Sequence, residues 1–234
     1  LGFRGVNGKG EIIKSGGTVV KNVTGYDLSK LVVGSFGTLV ALTEVVLKVL
    51  PKKKSSNTIT IHTEDKKLVN ELFEKISSSS SEISGAVYVP DEPEDDSYKR
   101  NKEMLFKFND LKFKGSFLGL RIEGDKTSID ERIKALTKEL ELNKLNTSIL
   151  DVYQSVPFWK KINNLELFAE TKNNLLRAVI PPSKGNELMQ KLGNKYKYCI
   201  DWCGSLYWIE VQSKKNMKIV EIKKIIKELG GYLT

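Results

Sequence analysis

The chain has 234 residues, 40% of them hydrophobic, which is enough for one large domain or two small ones with a folded core and excludes a disordered chain. Lys+Arg 38 against Asp+Glu 29 gives a net charge of +9, but basic residues are spread along the chain and interleaved with acids, as on solvated helix faces, which argues against a nucleic-acid surface. The longest apolar run, residues 39–50, is broken by Thr43, Glu44 and Lys48, so nothing approaches the roughly 20 apolar residues of a transmembrane helix.

Residues 1–6 read as a strand, Asn7-Gly8-Lys9-Gly10 as a turn and residues 11–14 as a second strand. With Leu1 in place of a methionine and already inside a strand, the expectation is a chain that starts within a domain. A short helix is expected over 26–32, then the turn Gly34-Ser35-Phe36-Gly37, then a long strand over 39–50. There Leu42, Glu44, Val46 and Lys48 alternate with the mostly apolar Thr43, Val45, Leu47 and Val49. Nine of the 18 glycines fall before residue 38. That shift in composition, followed by Pro51, Lys52-Lys53-Lys54 and Ser55-Ser56-Asn57, places a boundary between residues 1–52 and 53–234.

Beyond the boundary, strand-like and helix-like segments alternate. A strand over 58–62 precedes a helix with apolar Leu68, Val69, Leu72, Phe73 and Ile76. Residues 77–81 are serine only and read as a loop, 83–89 as a strand and 91–96 as an acidic turn. A strand over 117–122 leads to a helix opened by a capping box, Ser128 to Glu131. Next come a strand near 149–153, a helix over 158–162, a strand over 175–180 and a short helix over 187–192. Strands at 196–201 and 205–211 and a last amphipathic helix over 217–229 follow, and Gly230-Gly231 stops that helix before a final strand. Strands joined without crossover helices predict an α+β fold, an antiparallel sheet covered on one face by helices.

Two cysteines, Cys199 and Cys203, cannot build a disulfide framework, and with one histidine, His62, they make no zinc site, so no metal is expected and a reducing cytosolic compartment fits. The glycine turn is the chemically suggestive segment. Exposed backbone N–H groups without a neighbouring Cβ can meet a phosphate or an electron-rich ring edge, although the same glycines also serve an ordinary reversal. Asp27 either caps the helix after it or helps orient a ligand. Arg121 and Glu123, two apart on a strand, share a face and either look into a cleft or pair with each other. Asp201-Trp202-Cys203-Gly204 either line a pocket or, with Tyr207 and Trp208, belong to the core.

The string Lys21-Asn22-Val23-Thr24-Gly25-Tyr26-Asp27-Leu28, with Leu31, Gly34-Ser35-x-Gly37-Thr38-Leu39 and Glu44 to Pro51, resembles the second FAD-contacting segment of flavoproteins of the vanillyl-alcohol oxidase and p-cresol methylhydroxylase type. Within that superfamily it is similar to FAD-binding subunits of bacterial glycolate oxidase. That likeness continues through Ile83-Ser84-Gly85-Ala86, Leu120-Arg121-Ile122-Glu123-Gly124, Arg132, Phe158-Trp159, Leu176-Arg177, Asp201-Trp202-x-Gly204 and Gly230-Gly231. Phe36 and Cys203 depart from the pattern without removing a needed glycine. The resemblance implies that residues 1–52 are the second half of an FAD-binding domain and 53–234 a cap of antiparallel sheet with helices. It also implies that the chain lacks the first FAD subdomain and the extreme C-terminus.

The resemblance further implies FAD as cofactor, held in part by Asn22, Gly25, Tyr26, Asp27, Gly34, Ser35, Gly37, Thr38 and Leu39. The reaction implied is oxidation of glycolate, a 2-hydroxy acid, to glyoxylate, with electrons passed to a second flavin-binding catalytic subunit and an iron–sulfur subunit. The location implied is cytoplasmic, or peripheral at the inner membrane through those partners. No catalytic residue is assigned. The alternative is a non-catalytic assembly scaffold with a vestigial flavin site.

Overall fold

The computed structural model describes residues 1–17, 26–91, 96–108, 113–211 and 216–234, with the side chains of residues 96, 97, 216 and 217 left aside. The chain forms two compact units, Leu1–Lys52 and Lys53–Thr234.

In the first unit β1 (Gly2–Asn7) pairs antiparallel with β2 (Ile12–Gly16) on one side and β3 (Val40–Val46) on the other, and α1 (Leu28–Val32) lies between β2 and β3 in sequence. The β1–β2 reversal is organised by Asn7, whose Oδ1 accepts from the amides of Lys9 at 2.9 Å and Glu11 at 3.0 Å. This side-chain mimic of a turn is what asparagine offers at such a position. β3 ends at Val46, short of the expected 39–50, opposite Gly2 of β1.

The second unit runs β4 (Ser55–His62), α2 (Lys66–Ser78), β5 (Gly85–Val89), α3 (Asp96–Leu105), β6 (Phe117–Gly124), α4 (Lys126–Glu139), β7 (Asn146–Leu150) and α5 (Val152–Asn163). It continues with β8 (Asn174–Val179), α6 (Gly185–Leu192), β9 (Tyr198–Asp201), β10 (Leu206–Val211), α7 (Asn216–Glu228) and β11 (Tyr232–Leu233). Its strands form one antiparallel sheet in the order β11-β8-β10-β9-β5-β6-β4-β7. The antiparallel α+β reading therefore holds.

Helices cover both faces of that sheet, not one as expected. Ile59, Ile61, Ala86, Tyr88, Leu118, Leu120 and Ile200 form a core with α2, α4, α6 and α7. Their neighbours Val87, Val89, Phe117 and Cys199 point the other way and pack with Phe158, Trp159 and Ile162 of α5 and with Phe106 and Phe113. The physical cause is visible in Gly85-Ala86-Val87-Tyr88-Val89, apolar on both sides of the pleat as a strand buried on two faces must be. Gly119 makes the α5 contact possible, since a Cβ there would stand 3.1 Å from Cζ of Phe158.

Several helix starts differ from expectation. α4 begins at Lys126 after Asp125, so Ser128 lies inside it and no capping box forms; the Asp125 carboxylate pairs with Lys54 at 3.1 Å instead of capping. A capping box does open α5, where Asp151 accepts from the Gln154 amide at 3.0 Å and Gln154 reaches back to the Asp151 amide at 3.3 Å. α5 thus starts six residues before the expected 158, and Pro157 lies inside it. α3 was not expected at all. Part of the acidic turn at 91–96 lies outside the described residues.

Candidate functional site

Two places in the structure carry the predicted site residues, one in each unit. In the first, Asn22 and Gly25, with Lys21, lie outside the described residues. Tyr26 is fully out in solvent at 94% exposure, and Asp27 caps α1, its carboxylate accepting from the Lys30 amide at 3.2 Å and pairing with the Lys30 ammonium at 3.1 Å. Hydrogen bonding to Lys30 holds the Asp27 carboxyl below its ordinary value.

Gly34, Ser35, Gly37, Thr38 and Leu39 come together in the turn between α1 and β3. Gly34 and Gly37 have φ of 80° and 78°, and a Cβ at either would meet open space. These glycines are therefore demanded by backbone conformation and not by crowding. Phe36 between them is also left-handed, at φ 49°. The Ser35 carbonyl accepts both the amide (2.9 Å) and the hydroxyl (2.7 Å) of Thr38, which spends that hydroxyl inside the turn. The Ser35 amide goes to Val32, whereas the amides of Phe36 and Gly37 find no partner among the described residues. The Phe36 and Gly37 amides, without a partner among the described residues, are donors that an anion or a ring acceptor can take.

The second place is the far end of the second sheet face. Arg121 donates to Ser84 Oγ at 3.0 Å and to the Ser84 carbonyl at 2.9 Å, pairs with Glu123 at 3.4 Å, and stacks 4.8 Å from the Trp159 ring. The shared face predicted for Arg121 and Glu123 thus produces an ion pair. Asp201 ends β9 with its carboxylate accepting from the Trp202 amide at 2.7 Å. Burial pushes the Asp201 carboxyl above its ordinary value, against the opposing pull of that amide and of the Arg121 charge. Tyr207 is buried, but Trp202 is 56% exposed, which corrects its placement in the core. The sequence offered no signal for this, because the exposure follows from left-handed backbone at Trp202 (φ 51°) and Cys203 (φ 52°).

Sequence reasoning also missed a cavity of about 1000 Å³ in the second unit, lined in part by Lys102, Lys161, Lys195, Lys197, Glu170 and Glu210. Lys102 is enclosed, held by the Asp91 carboxylate and, at 2.8 Å, by the Gly115 carbonyl. Burial lowers its pKa from the ordinary lysine value. His62 packs 5.5 Å from the Phe113 ring, and burial lowers its pKa as well. Among the described residues no cluster of three or more metal-binding side chains forms, and no helix is long and apolar enough to cross a membrane.

Comparison with known proteins gives these features a context. No protein-family model matches the chain. The glycolate oxidase subunit GlcE of Escherichia coli aligns with all of it at 27% identity, the alignment taking in 53% of GlcE. The chain is similar to GlcE over its whole length. A mitochondrial D-2-hydroxyglutarate dehydrogenase of Arabidopsis thaliana also aligns with all of the chain, at 26% identity over 36% of the plant enzyme. An FAD-linked oxidoreductase of Mycobacterium tuberculosis is 50% identical over 52 residues, 22% of this chain and 11% of its own. Among solved structures, p-cresol methylhydroxylase superposes on 97% of the chain with a TM-score of 0.63 at 12% identity, over 54% of its own length. The likeness at that identity is one of fold. The chain spans about half the length of GlcE.

Proposed function

We propose that this chain is part of an FAD-linked oxidoreductase subunit of the glycolate oxidase type, which oxidises a small 2-hydroxy acid and passes the electrons to partner subunits. The observation that carries the reading is the whole-length similarity to GlcE, supported by a p-cresol methylhydroxylase-like fold. In this reading residues 1–52 are the second half of an FAD-binding domain and 53–234 its cap. A second flavin-binding subunit and an iron–sulfur subunit are the partners.

The residues of the first unit fit the cofactor. The Phe36 and Gly37 amides offer donors to a flavin ring edge or a phosphate oxygen, and Asn22, Gly25, Tyr26, Asp27, Ser35, Thr38 and Leu39 flank them in sequence. Bound FAD would supply the two-electron redox chemistry. The chain's own contribution is orientation: left-handed glycines set the backbone of the turn that carries the donors, and the Asp27 cap fixes the helix before them.

Flavin absorbance of the intact protein, purified with and without its partners, tests the reading. Gly37→Val forces a β-branched residue into a left-handed conformation at a cost of about 1–3 kcal/mol and is expected to lower flavin content. Gly8→Val, at a turn where a Cβ meets open space, leaves flavin content unchanged. Equal flavin content in the two variants removes the turn from the site. A wild-type protein without flavin under both conditions leaves the assembly-scaffold reading in its place.

A further inference from the structure

The second face of the eight-stranded sheet carries, away from the helix α5 contacts, a patch built from Arg177 and Val179 of β8, Trp208 of β10, Tyr232 of β11 and the Asp201-Trp202 corner. Register places these on one face: Arg177 lies opposite Trp208, and Val179 lies opposite Tyr232. Arg177, Val179 and Trp208 are half-buried, whereas Trp202 and Tyr232 are each 56% exposed.

Arg177 differs from the other well-placed arginines of this unit. Arg121 is engaged by Ser84 and Glu123, and Arg132 donates to the carbonyls of Ser81 and Glu123, at 2.9 Å each. The Arg177 guanidinium lies 5.2 Å from the centre of the Trp202 ring, and among the described residues no oxygen accepts from it. Its plane is held while its five donors have no acceptor among the described residues, which is the state of a guanidinium ready to take a planar anion in its fork. The indole beneath it is in turn held at some cost. Trp202, Cys203 and Gly204 are left-handed in succession, at φ 51°, 52° and 90°. A bulky residue in that region is rare, and here Asp201 fastens the Trp202 amide at 2.7 Å.

We propose that Arg177 and Trp202 form a carboxylate subsite for a short 2-hydroxy or 2-oxo acid. The guanidinium receives the carboxylate through paired N–H donors, and the indole fixes the guanidinium plane. Asp201 is a positioning residue, acting through the Trp202 amide. The carboxylate class rests on this geometry, while the 2-hydroxy or 2-oxo character rests on the function proposed above. A single fork with the Asp201 carboxylate in the same patch suits a monoanion better than a dianionic phosphate, because the second negative charge meets repulsion.

Titrating the full chain with glycolate, and separately with inorganic phosphate, by calorimetry and tryptophan fluorescence tests the subsite. Glycolate is expected to bind saturably, and Arg177→Leu weakens it about tenfold or more, the loss of one charge-assisted pair. Arg177→Lys weakens it less, keeping the charge without the fork. Trp202→Phe removes most of the fluorescence change, and Arg4→Leu, an exposed arginine of the first unit, changes nothing. Phosphate binds more weakly than glycolate. No saturable glycolate binding, undiminished binding by Arg177→Leu, or phosphate binding as tight as glycolate each overturns the proposal. If Arg177→Leu does not fold, Arg177→Lys with an unchanged Tm decides alone, and glycolate affinity equal to wild type overturns it. Flavin content of the same preparations separates the two readings: glycolate binding without flavin defeats the proposed function and keeps the subsite, and flavin with an indifferent Arg177→Leu does the reverse.

Discussion

The two units use the same strand alternation and reach different results. In the first, Phe3 and Val40 are buried, but Ile12, Leu42, Val45 and Leu47 are 48–66% exposed. In the second, the strands β5, β6 and β9 send apolar side chains to both faces and bury them under helices. Alternation creates an apolar face, but stability comes from a second layer that removes it from water.

The strongest test of that contrast is a pair of truncations. Phe158 is fully buried, with Phe106, Phe108, Phe113, Phe117 and Trp159 in ring contact. Phe158→Ala is expected to destabilise the second unit by about 3–5 kcal/mol. Val45→Ala, at 53% exposure, is expected to change stability by no more than about 0.5 kcal/mol. Urea unfolding followed by probes in each unit measures both, and similar losses at the two sites would break the comparison.

A polar version sharpens it. Lys102→Met removes the ammonium from an enclosed pair and leaves Asp91 with Lys99 at 3.8 Å as its remaining cation. The expected cost is about 3 kcal/mol, since the surviving partner keeps its desolvation. A Tm equal to wild type would show that Asp91 is satisfied without Lys102.

The smallest expected effect concerns pH. Burial lowers the His62 pKa, so the unfolded chain binds a proton more readily than the folded one. Stability is then fully present above about pH 6.5 and falls as pH drops below it, towards the folded-state pKa. Because His62 is the sole histidine, His62→Gln should flatten that slope in Tm measured against pH. A slope of the opposite sign, or one untouched by the substitution, refutes the assignment.

What could be read from the residues was local. The alternation in β3, the helical face of α2 and α7, the Asn7 reversal and the left-handed glycines at 34 and 37 all follow from requirements spanning a few residues. So did Asp27 as a cap. α3 stayed hidden because a lysine, Lys102, occupies the buried position where a helical pattern would show an apolar residue, and its compensation by Asp91 and Gly115 comes from elsewhere in the chain.

The strand order, the second helical layer, the cavity of lysines and the exposure of Trp202 were decided by tertiary structure. An aromatic is ordinarily core, and nothing within Asp201-Trp202-Cys203-Gly204 says that three left-handed residues will turn the indole outward beneath Arg177. The sequence by itself determined which side chains alternate and where the backbone must turn left-handed, because those are constraints between near neighbours. Which apolar face is covered, and which guanidinium finds no oxygen acceptor among the described residues, depends on contacts between residues far apart in the chain, and so became visible when the sheet was assembled.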